Sequence, residues 1–170
     1  MVKPDIHYKE RYVEMVESWK TTGQDLEPWV LQADYSDFST MVRSFADQSA
    51  GIGLREGFVP NTTFWVYRRD TGRIVGAVNI RHRLNDVLLR AWGNIGYGIR
   101  PDERGKGYAT AALGLALREC ARLGMDRVLL GCYKDNAASA AVIRKNGGVL
   151  ENEIGDGGRI IQRYWITLKS

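Results

Sequence analysis

The chain is poor in cysteine, proline and histidine, and it has no long apolar run. Its 170 residues include 2 cysteines, 4 prolines and 2 histidines. No stretch approaches the roughly 18 apolar residues of a membrane-spanning helix, so we expect no membrane among its partners. Cys120 and Cys132 are too few for the disulfide framework of a small secreted domain, and we expect two buried, inert thiols. The opening segment Met1–Asp5 is unlike a signal peptide, which makes a cytoplasmic location the default.

Charge of one sign is not concentrated anywhere in the chain. The net charge is +4 and the pI is about 9.1, which suits an anionic ligand. Lysine and arginine are spread along the sequence and form no basic stripe, so nucleic acid is not an expected partner. The apolar fraction of 44% is typical of a soluble globular protein, and no repeat or linker divides the chain. Residues 1–170 are therefore predicted to form a single domain.

Apolar periodicity predicts an α/β protein in which two helices precede a mainly antiparallel set of strands. The strand after the long third helix is expected to run parallel to the strand before it. The predicted helices are Tyr8–Trp19, Ser36–Gln48 with Ser36 as its cap, Ala109–Leu123 and Asn136–Lys145. The predicted strands are Thr63–Arg69, Ile74–Arg81, Asn94–Ile99, Val128–Cys132, Val149–Glu153 and Ile160–Leu168.

A glycine-rich turn joins the third strand to the long helix, in the run Arg104-Gly105-Lys106-Gly107-Tyr108-Ala109. Glycine lets the backbone approach a ligand closely, and the helix start supplies unpaired N–H groups and a positive dipole end. This combination predicts a site for phosphate. Two common phosphate motifs do not fit. The GxxxxGK[ST] loop would need glycine at Arg100, and the dinucleotide fingerprint would need glycine or alanine at Thr110.

The pattern Arg-x-x-Gly-x-Ala, formed by Arg104, Gly107 and Ala109, resembles the acetyl-CoA pyrophosphate loop of the GCN5-related N-acetyltransferase (GNAT) superfamily. A second segment, which begins at Asn136, is similar to the family's N-x-x-[AS]-x-x-[LV]-Y-x-K-x-G-F pattern. The resemblance covers Phe64–Leu168. It implies a mixed, mostly antiparallel central sheet flanked by helices, in which the family's fourth and fifth strands are splayed. The family's first strand is expected to be short or absent here, because Pro4 interrupts the segment available for it.

The resemblance also implies acetyl-CoA as co-substrate and no metal. The pantetheine arm would pair with backbone groups near Gly98 and Ile99, and Asn136 would contact the arm, although a helix N-cap explains an asparagine there equally well. The implied cofactor-binding residues are Gly98, Ile99, Arg104, Gly105, Lys106, Gly107, Tyr108, Ala109, Thr110 and Asn136.

The acid and base of such an enzyme are not where the family usually has them. Ile143 occupies the position of the usual tyrosine, and the third strand contains no carboxylate. We therefore predict His82 as the base, kept neutral by neighbouring arginines, and Asn94 as a residue that orients a water. A surface histidine and a polar residue at a strand edge are the alternative interpretations. Tyr97 and Tyr164 are candidate donors to the departing thiolate, and packing within a strand is the alternative explanation for both.

The function implied by the resemblance is N-acetyl transfer from acetyl-CoA to a primary amine by direct attack in a ternary complex. The alternative is a non-catalytic domain of the same fold that binds acetyl-CoA or CoA and serves regulation. The sequence does not identify the acceptor, whose site is expected within residues 20–61, and a homodimer is possible.

Overall fold

The computed structural model describes residues 1–168. It has the predicted α/β class, with antiparallel sheets flanked by helices. The helices are α1 (Lys9–Lys20), α2 (Phe38–Ala50), α3 (Tyr108–Arg122) and α4 (Ala137–Lys145). The strands are β1 (Asn61–Arg68), β2 (Arg73–Arg81), β3 (Ile95–Ile99), β4 (Arg127–Tyr133), β5 (Val149–Asp156) and β6 (Arg159–Thr167).

The strands form two three-stranded antiparallel sheets, in the orders β1-β2-β3 and β4-β6-β5. Within residues 1–168 no ladder joins β3 to β4, and their parallel course stays a prediction. Within residues 1–168 the pairing between the two sheets is an isolated bridge from Gly93 to Leu130. Beyond this bridge β3 and β4 separate, as the splayed strands of the prediction require, and we call the place where they part the fork.

Two glycines allow the chain to cross so closely at the fork. A Cβ on Gly93, whose φ is +66°, would lie 2.0 Å from the Leu129 carbonyl oxygen. A Cβ on Gly131 would lie 1.8 Å from the carbonyl oxygen of Ala91. Ala91 belongs to a π-helical turn over Leu88–Trp92, between the predicted strands Ile74–Arg81 and Asn94–Ile99. The turn and β4 are therefore in backbone contact.

Two apolar cores cover the two faces of the first sheet. Helices α1 and α2 pack on one face, where Trp65 and Ala77 are completely buried. Helices α3 and α4 pack on the other face, against Val78 and Leu130. A single layer of strands thus separates a helical layer that carries residues 9–50 from one that carries residues 108–145. Any cleft that passes through the fork can be reached from both layers.

Several predicted boundaries need correction. Helix α2 is capped by Asp37, whose carboxylate accepts the Thr40 N–H at 3.0 Å, rather than by Ser36. The final hairpin turn is tighter than predicted, because β5 continues to Asp156 and only Gly157 and Gly158 remain in the turn. Both have positive φ, which is the pattern of a type I′ hairpin turn. The expected short first strand is a single bridge between Val2 and Trp65.

Both cysteines are unpaired and buried, as predicted. Burial raises the pKa of the Cys120 thiol to about 12, so this group stays protonated at neutral pH. In the part of the chain that is described, no helix is long and apolar enough to cross a membrane.

Candidate active site

A cleft of about 1020 Å³ opens at the fork, slightly larger than the usual range for small-molecule sites. Its walls come from β3, from the end of β4, from the start of α4 and from the glycine loop, by which we mean Arg104–Gly107. The connection between α1 and α2 and the π-helical turn close it on the other side. The cleft therefore joins the two predicted cofactor motifs, which lie far apart in sequence.

The free edge of β3 forms one wall. The Arg100 N–H donates to the Val75 carbonyl at 2.9 Å, and the Arg81 N–H donates to the Asn94 carbonyl at 2.7 Å. The even-numbered residues of β3 therefore direct their backbone N–H and C=O groups toward β2. In an antiparallel pair the intervening residues turn their backbone groups to the opposite edge. Tyr97 and Ile99 therefore turn their N–H and C=O groups to the cleft side, where the Ile99 carbonyl already accepts from Arg104 Nε at 2.8 Å. The backbone groups of Gly98 are turned toward β2, and the cofactor-binding roles of Gly98 and Ile99 stay predictions.

Gly98 has a different role, which is to make room. A Cβ at this position would lie 2.0 Å from the carbonyl oxygen of Glu27, in the connection between α1 and α2. At Gly96 it would lie 3.2 Å from Pro28 Cβ. The glycines inside β3 thus reflect a close approach of that connection to the strand, one of the two explanations for glycine within a strand.

The glycine loop presents bare backbone to the cleft. Gly105 and Gly107 have φ of +76° and +85°, which favours glycine, and a Cβ on either would meet nothing within 4 Å. Gly107 is the N-cap of α3 and no side chain caps this helix start. The N–H groups of Tyr108, Ala109 and Thr110 therefore remain available to an anion. This geometry fits the pyrophosphate of CoA.

The charged side chains of the glycine loop are held by the protein itself. Lys106 donates to the Glu103 carboxylate at 2.9 Å, and Glu103, which is 3% exposed, also accepts from Arg68 and Arg73. The hydrogen bond from Lys106 and the nearby arginines lower the pKa of Glu103. Arg104 donates to the carbonyl of Ile99 at 2.8 Å. These side chains fix the loop in place, and their predicted contacts with phosphate stay predictions.

The start of α4 forms the wall opposite β3. Asn136 Oδ1 accepts the Ser139 N–H at 3.0 Å, so Asn136 is the helix N-cap and also lines the cleft. The hydroxyls of Tyr97 and Ser139 lie 2.9 Å apart and connect β3 to α4. Burial raises the pKa of Tyr97 to about 12, which keeps its phenol protonated. Ile143 is completely buried in the core, so this position offers no polar group to the cleft.

The two predicted catalytic residues lie outside the cleft walls. His82 Nε2 lies 2.7 Å from the hydroxyl of Thr62, and burial lowers the pKa of the imidazole, which favours its neutral form. Asn94 is 4% exposed, donates to the Arg81 carbonyl at 3.2 Å and accepts the Leu129 N–H at 3.0 Å. Asn94 therefore ties the two sheets together at the fork. The catalytic roles of both residues stay predictions.

Glu27 also lies at the cleft in the structure, although the sequence analysis did not single this residue out. Partial burial raises the pKa of the Glu27 carboxyl, repulsion from Asp25 adds to this, and Arg81 opposes it. Desolvation in turn lowers the pKa of Arg81 to about 10. Glu27 precedes a proline in an irregular segment, where residue type and spacing give no signal of function. Its position follows from the close packing of Glu27 and Pro28 over Gly96 and Gly98.

A group of apolar side chains surrounds the cleft opening on the side of α1 and α2. Two aromatic pairs are present there, Trp29 with Phe58 and Trp92 with Tyr133, with ring centroids 5.4 Å and 5.5 Å apart. We call this opening the acceptor mouth and define it by Trp29, Phe58, Val87, Leu88 and Trp92. Trp29 and Phe58 fall within residues 20–61, where the acceptor site was expected, whereas Val87, Leu88 and Trp92 lie outside that range.

No group of three or more histidine, cysteine, aspartate or glutamate residues within residues 1–168 is arranged to hold a metal ion. A family model described as acetyltransferase (GNAT) domain matches residues 5–149 of the chain. No curated protein matches the chain significantly.

Solved structures give the same fold. The chain is 19% identical to RimL, a ribosomal L7/L12 α-N-protein acetyltransferase in complex with coenzyme A, with a TM-score of 0.70 and coverage of 98% of this chain and 92% of that one. The chain is 18% identical to the microcin C7 self-immunity acetyltransferase MccE in complex with acetyl-CoA and AMP. The TM-score is 0.66, and the match covers 96% of this chain and 89% of that one. It is 15% identical to a chimera of the spermidine N-acetyltransferase SpeG from Vibrio cholerae and hSSAT. Here the TM-score is 0.63, and the match covers 96% of this chain and 93% of that one. At these identities the likeness establishes the fold and leaves the substrate open.

Proposed function

This chain belongs to the GNAT acetyltransferase family, and from that premise we propose that it transfers an acetyl group from acetyl-CoA to a primary amine. The observation that carries the proposal is the continuity of one cleft. It runs from the uncapped start of α3, past the free edge of β3, to the acceptor mouth on the other side of the sheet. A long, extended co-substrate and a second substrate can therefore meet at the fork.

In the proposed reaction the amine nitrogen attacks the thioester carbonyl carbon while both substrates are bound. A C–N bond forms and the C–S bond breaks. The ammonium form of the amine loses two protons in total, one to a base and then to solvent, and one that ends on the sulfur of CoA. Holding the two reactants together supplies much of the rate, because a thioester is already activated.

We assign the base to Glu27, because it is a carboxylate at the cleft whose raised pKa brings it nearer to neutral pH. The hydroxyl pair of Tyr97 and Ser139 is our candidate for the donor to sulfur, since it bridges the two walls of the fork. His82 as base and Asn94 as orienting residue remain the alternative assignment, and both would have to act from outside the cleft walls. A cytoplasmic location and a homodimer also remain proposals.

One observation favours the second candidate function, a non-catalytic domain that binds CoA. Ile143 replaces the usual tyrosine and is completely buried, so the family's common proton donor is missing. The hydroxyl pair at the fork supports the catalytic function against this alternative.

Calorimetric titration with acetyl-CoA, CoA and ATP, followed by a thiol-release assay over a panel of amines, tests the proposal. We expect acetyl-CoA and CoA to bind and ATP to bind at least about tenfold more weakly, because ATP lacks the arm that would pair with β3. Release of CoA thiol with any amine supports the enzyme. Binding of acetyl-CoA without release favours the regulatory domain, and binding of ATP alone would end both proposals.

A further inference from the structure

The acceptor mouth exposes more large apolar surface than a purely structural role requires. Trp29 is 38% exposed, Phe58 is 44% exposed and Val87 is 66% exposed. Trp29 and Phe58 come from two separate connections, one between α1 and α2 and the other between α2 and β1. Their contact at the edge of a cleft is typical of a surface that binds an apolar group.

The charges of the cleft indicate what kind of amine can enter. Its lining contains two carboxylates, Glu27 and Glu103. Glu103 is neutralised by Arg68, Arg73 and Lys106 and lies at the glycine loop. Glu27 is therefore the carboxylate left for a substrate. A polyamine or an aminoglycoside carries several positive charges and would need several such groups, and it would also meet the cation of Arg81.

An uncharged hydrogen-bond acceptor on the floor of the cleft, the amide oxygen of Asn79, suits a substrate with a single amino group. Asn79 is completely buried, lines the cleft, and its Oδ1 has no hydrogen-bond partner among the described residues. The orientation of its amide follows from a chain of hydrogen bonds. Asn61 Nδ2 donates to the Val59 carbonyl, so Asn61 presents its oxygen to Asn79 Nδ2 at 2.7 Å. Asn79 Nδ2 also donates to Thr63 on β1, at 3.2 Å.

The amide nitrogen of Asn79 donates toward β1, so its oxygen lies on the opposite side of the amide group, and the strand register places Gly96 of β3 beside Asn79. A buried amide oxygen without a donor is costly, and an N–H group of a ligand would satisfy it. An amide oxygen can accept from an ammonium and equally from the neutral amine, so this contact would persist while the nitrogen loses its proton.

We propose that the acceptor is a small monoamine attached to an aromatic or bulky apolar body, which packs against Trp29 and Phe58 while its nitrogen binds near Glu27 and Asn79. This inference rests on the proposed acetyl transfer and specifies its second substrate. The bond changes are those given above, with the nitrogen of the monoamine as the attacking atom.

The test compares initial rates of thiol release for 2-phenylethylamine, spermidine, kanamycin and an alanine-terminated tripeptide. We expect kcat/KM for 2-phenylethylamine to exceed each of the others by about tenfold or more, the discrimination that one buried aromatic ring provides. Trp29→Ala and Phe58→Ala should each raise KM for 2-phenylethylamine by about five- to tenfold and leave KM for acetyl-CoA unchanged.

Leu123→Ala is the matched control. Leu123 is 49% exposed, follows the last turn of α3 and is not part of the cleft lining, so its removal should change neither KM. A second measurement is independent of turnover. Calorimetric binding of 2-phenylethylamine to the CoA-loaded protein should weaken in Trp29→Ala and recover in Trp29→Phe, which retains an aromatic ring.

The outcomes separate the two proposals. If acetyl-CoA binds and the protein prefers spermidine, kanamycin or the peptide, acetyl transfer stands and the inference is overturned. An unchanged KM for 2-phenylethylamine in both aromatic variants overturns it as well. Failure to bind acetyl-CoA overturns the proposed function itself, and binding of acetyl-CoA without release with any amine overturns both.

Discussion

The two halves of the cleft are built from different parts of the chain. The cofactor half, formed by the glycine loop, the free edge of β3 and the start of α4, consists mainly of backbone N–H and C=O groups. The acceptor half, formed by the acceptor mouth with Glu27, Asn79 and Arg81, consists of side chains from distant connections and from β2. A backbone site recognises a common chemical unit with few side chains, whereas a side-chain site can change its substrate by substitution. Four predictions test this division, from the largest expected effect to the smallest.

Gly107→Glu should weaken acetyl-CoA binding by at least about 100-fold, because a carboxylate would stand where the pyrophosphate is expected. The position also has a positive φ of +85°, so any side chain is strained there. Calorimetric titration gives the affinity. Gly124→Glu is the matched control, with a φ of +80°, no atom near its Cβ and a place at the far end of α3. Equal losses in both variants would mean that strain, and not the site, is responsible.

Glu27→Gln should lower kcat/KM by about 100-fold, the scale of general base catalysis. The raised pKa of Glu27 means that activity should rise with pH as its carboxyl loses the proton, and this limb should vanish in the variant. Initial rates measured from about pH 4 to about pH 9 would show this limb, because both proteins are expected to stay folded over roughly that range. His82→Gln provides the comparison. If that variant loses the limb and Glu27→Gln keeps it, the base is His82.

Gly98→Ala should destabilise the protein by about 2 kcal/mol, because the new methyl group meets backbone and the connection that holds Glu27 has to move. A Cβ atom at position 98 would lie 2.0 Å from the Glu27 carbonyl oxygen. Thermal unfolding measures the loss. Gly155→Ala, in β5, has ordinary φ and nothing within 4 Å, and should leave the midpoint almost unchanged. A stable Gly98→Ala protein with normal KM for amines would contradict this arrangement of the acceptor half.

Asn94→Ala should cost about 1 kcal/mol of stability, because the buried Leu129 N–H loses its acceptor at the fork. We expect the shape of the pH–rate profile to stay unchanged, since Asn94 connects the sheets and lies outside the cleft walls. Denaturant unfolding and a pH series measure the two effects. A normal stability with a large fall in kcat would instead support the predicted role of Asn94 in orienting a water.

The cofactor half could largely be predicted from the sequence because its signals are local. Gly107 and Ala109 lie two residues apart at the start of a periodic helix, and Asn136 directly precedes the next helix, where a cap is expected. Apolar periodicity likewise gave the helices and strands to within a few residues. The errors occurred where alternatives are nearly equal in energy. Asp37 and Ser36 are both good caps, and Gly157 with Gly158 suffices for a turn that was expected to be longer.

The acceptor half could not be predicted because its residues are brought together only by packing. Glu27 approaches β3 since Gly98 has no side chain, and Trp29 meets Phe58 across two irregular connections. The direction of each backbone group on β3 was also inaccessible, because it depends on register with β2. That register turned Ile99 toward the cleft and Gly98 away from it.

The sequence by itself determined the α/β class, the order of the elements and the motif that places the chain among the acetyltransferases. Each depends on local spacing or on the period of apolar residues, which the chain carries wherever it folds. The tertiary structure alone decided that the bridge from Gly93 to Leu130 marks the place where β3 and β4 part, that Asn94 connects the two sheets there, and that Glu27 reaches the opened cleft. These features arise from close contacts between distant segments, and only packing brings such segments together.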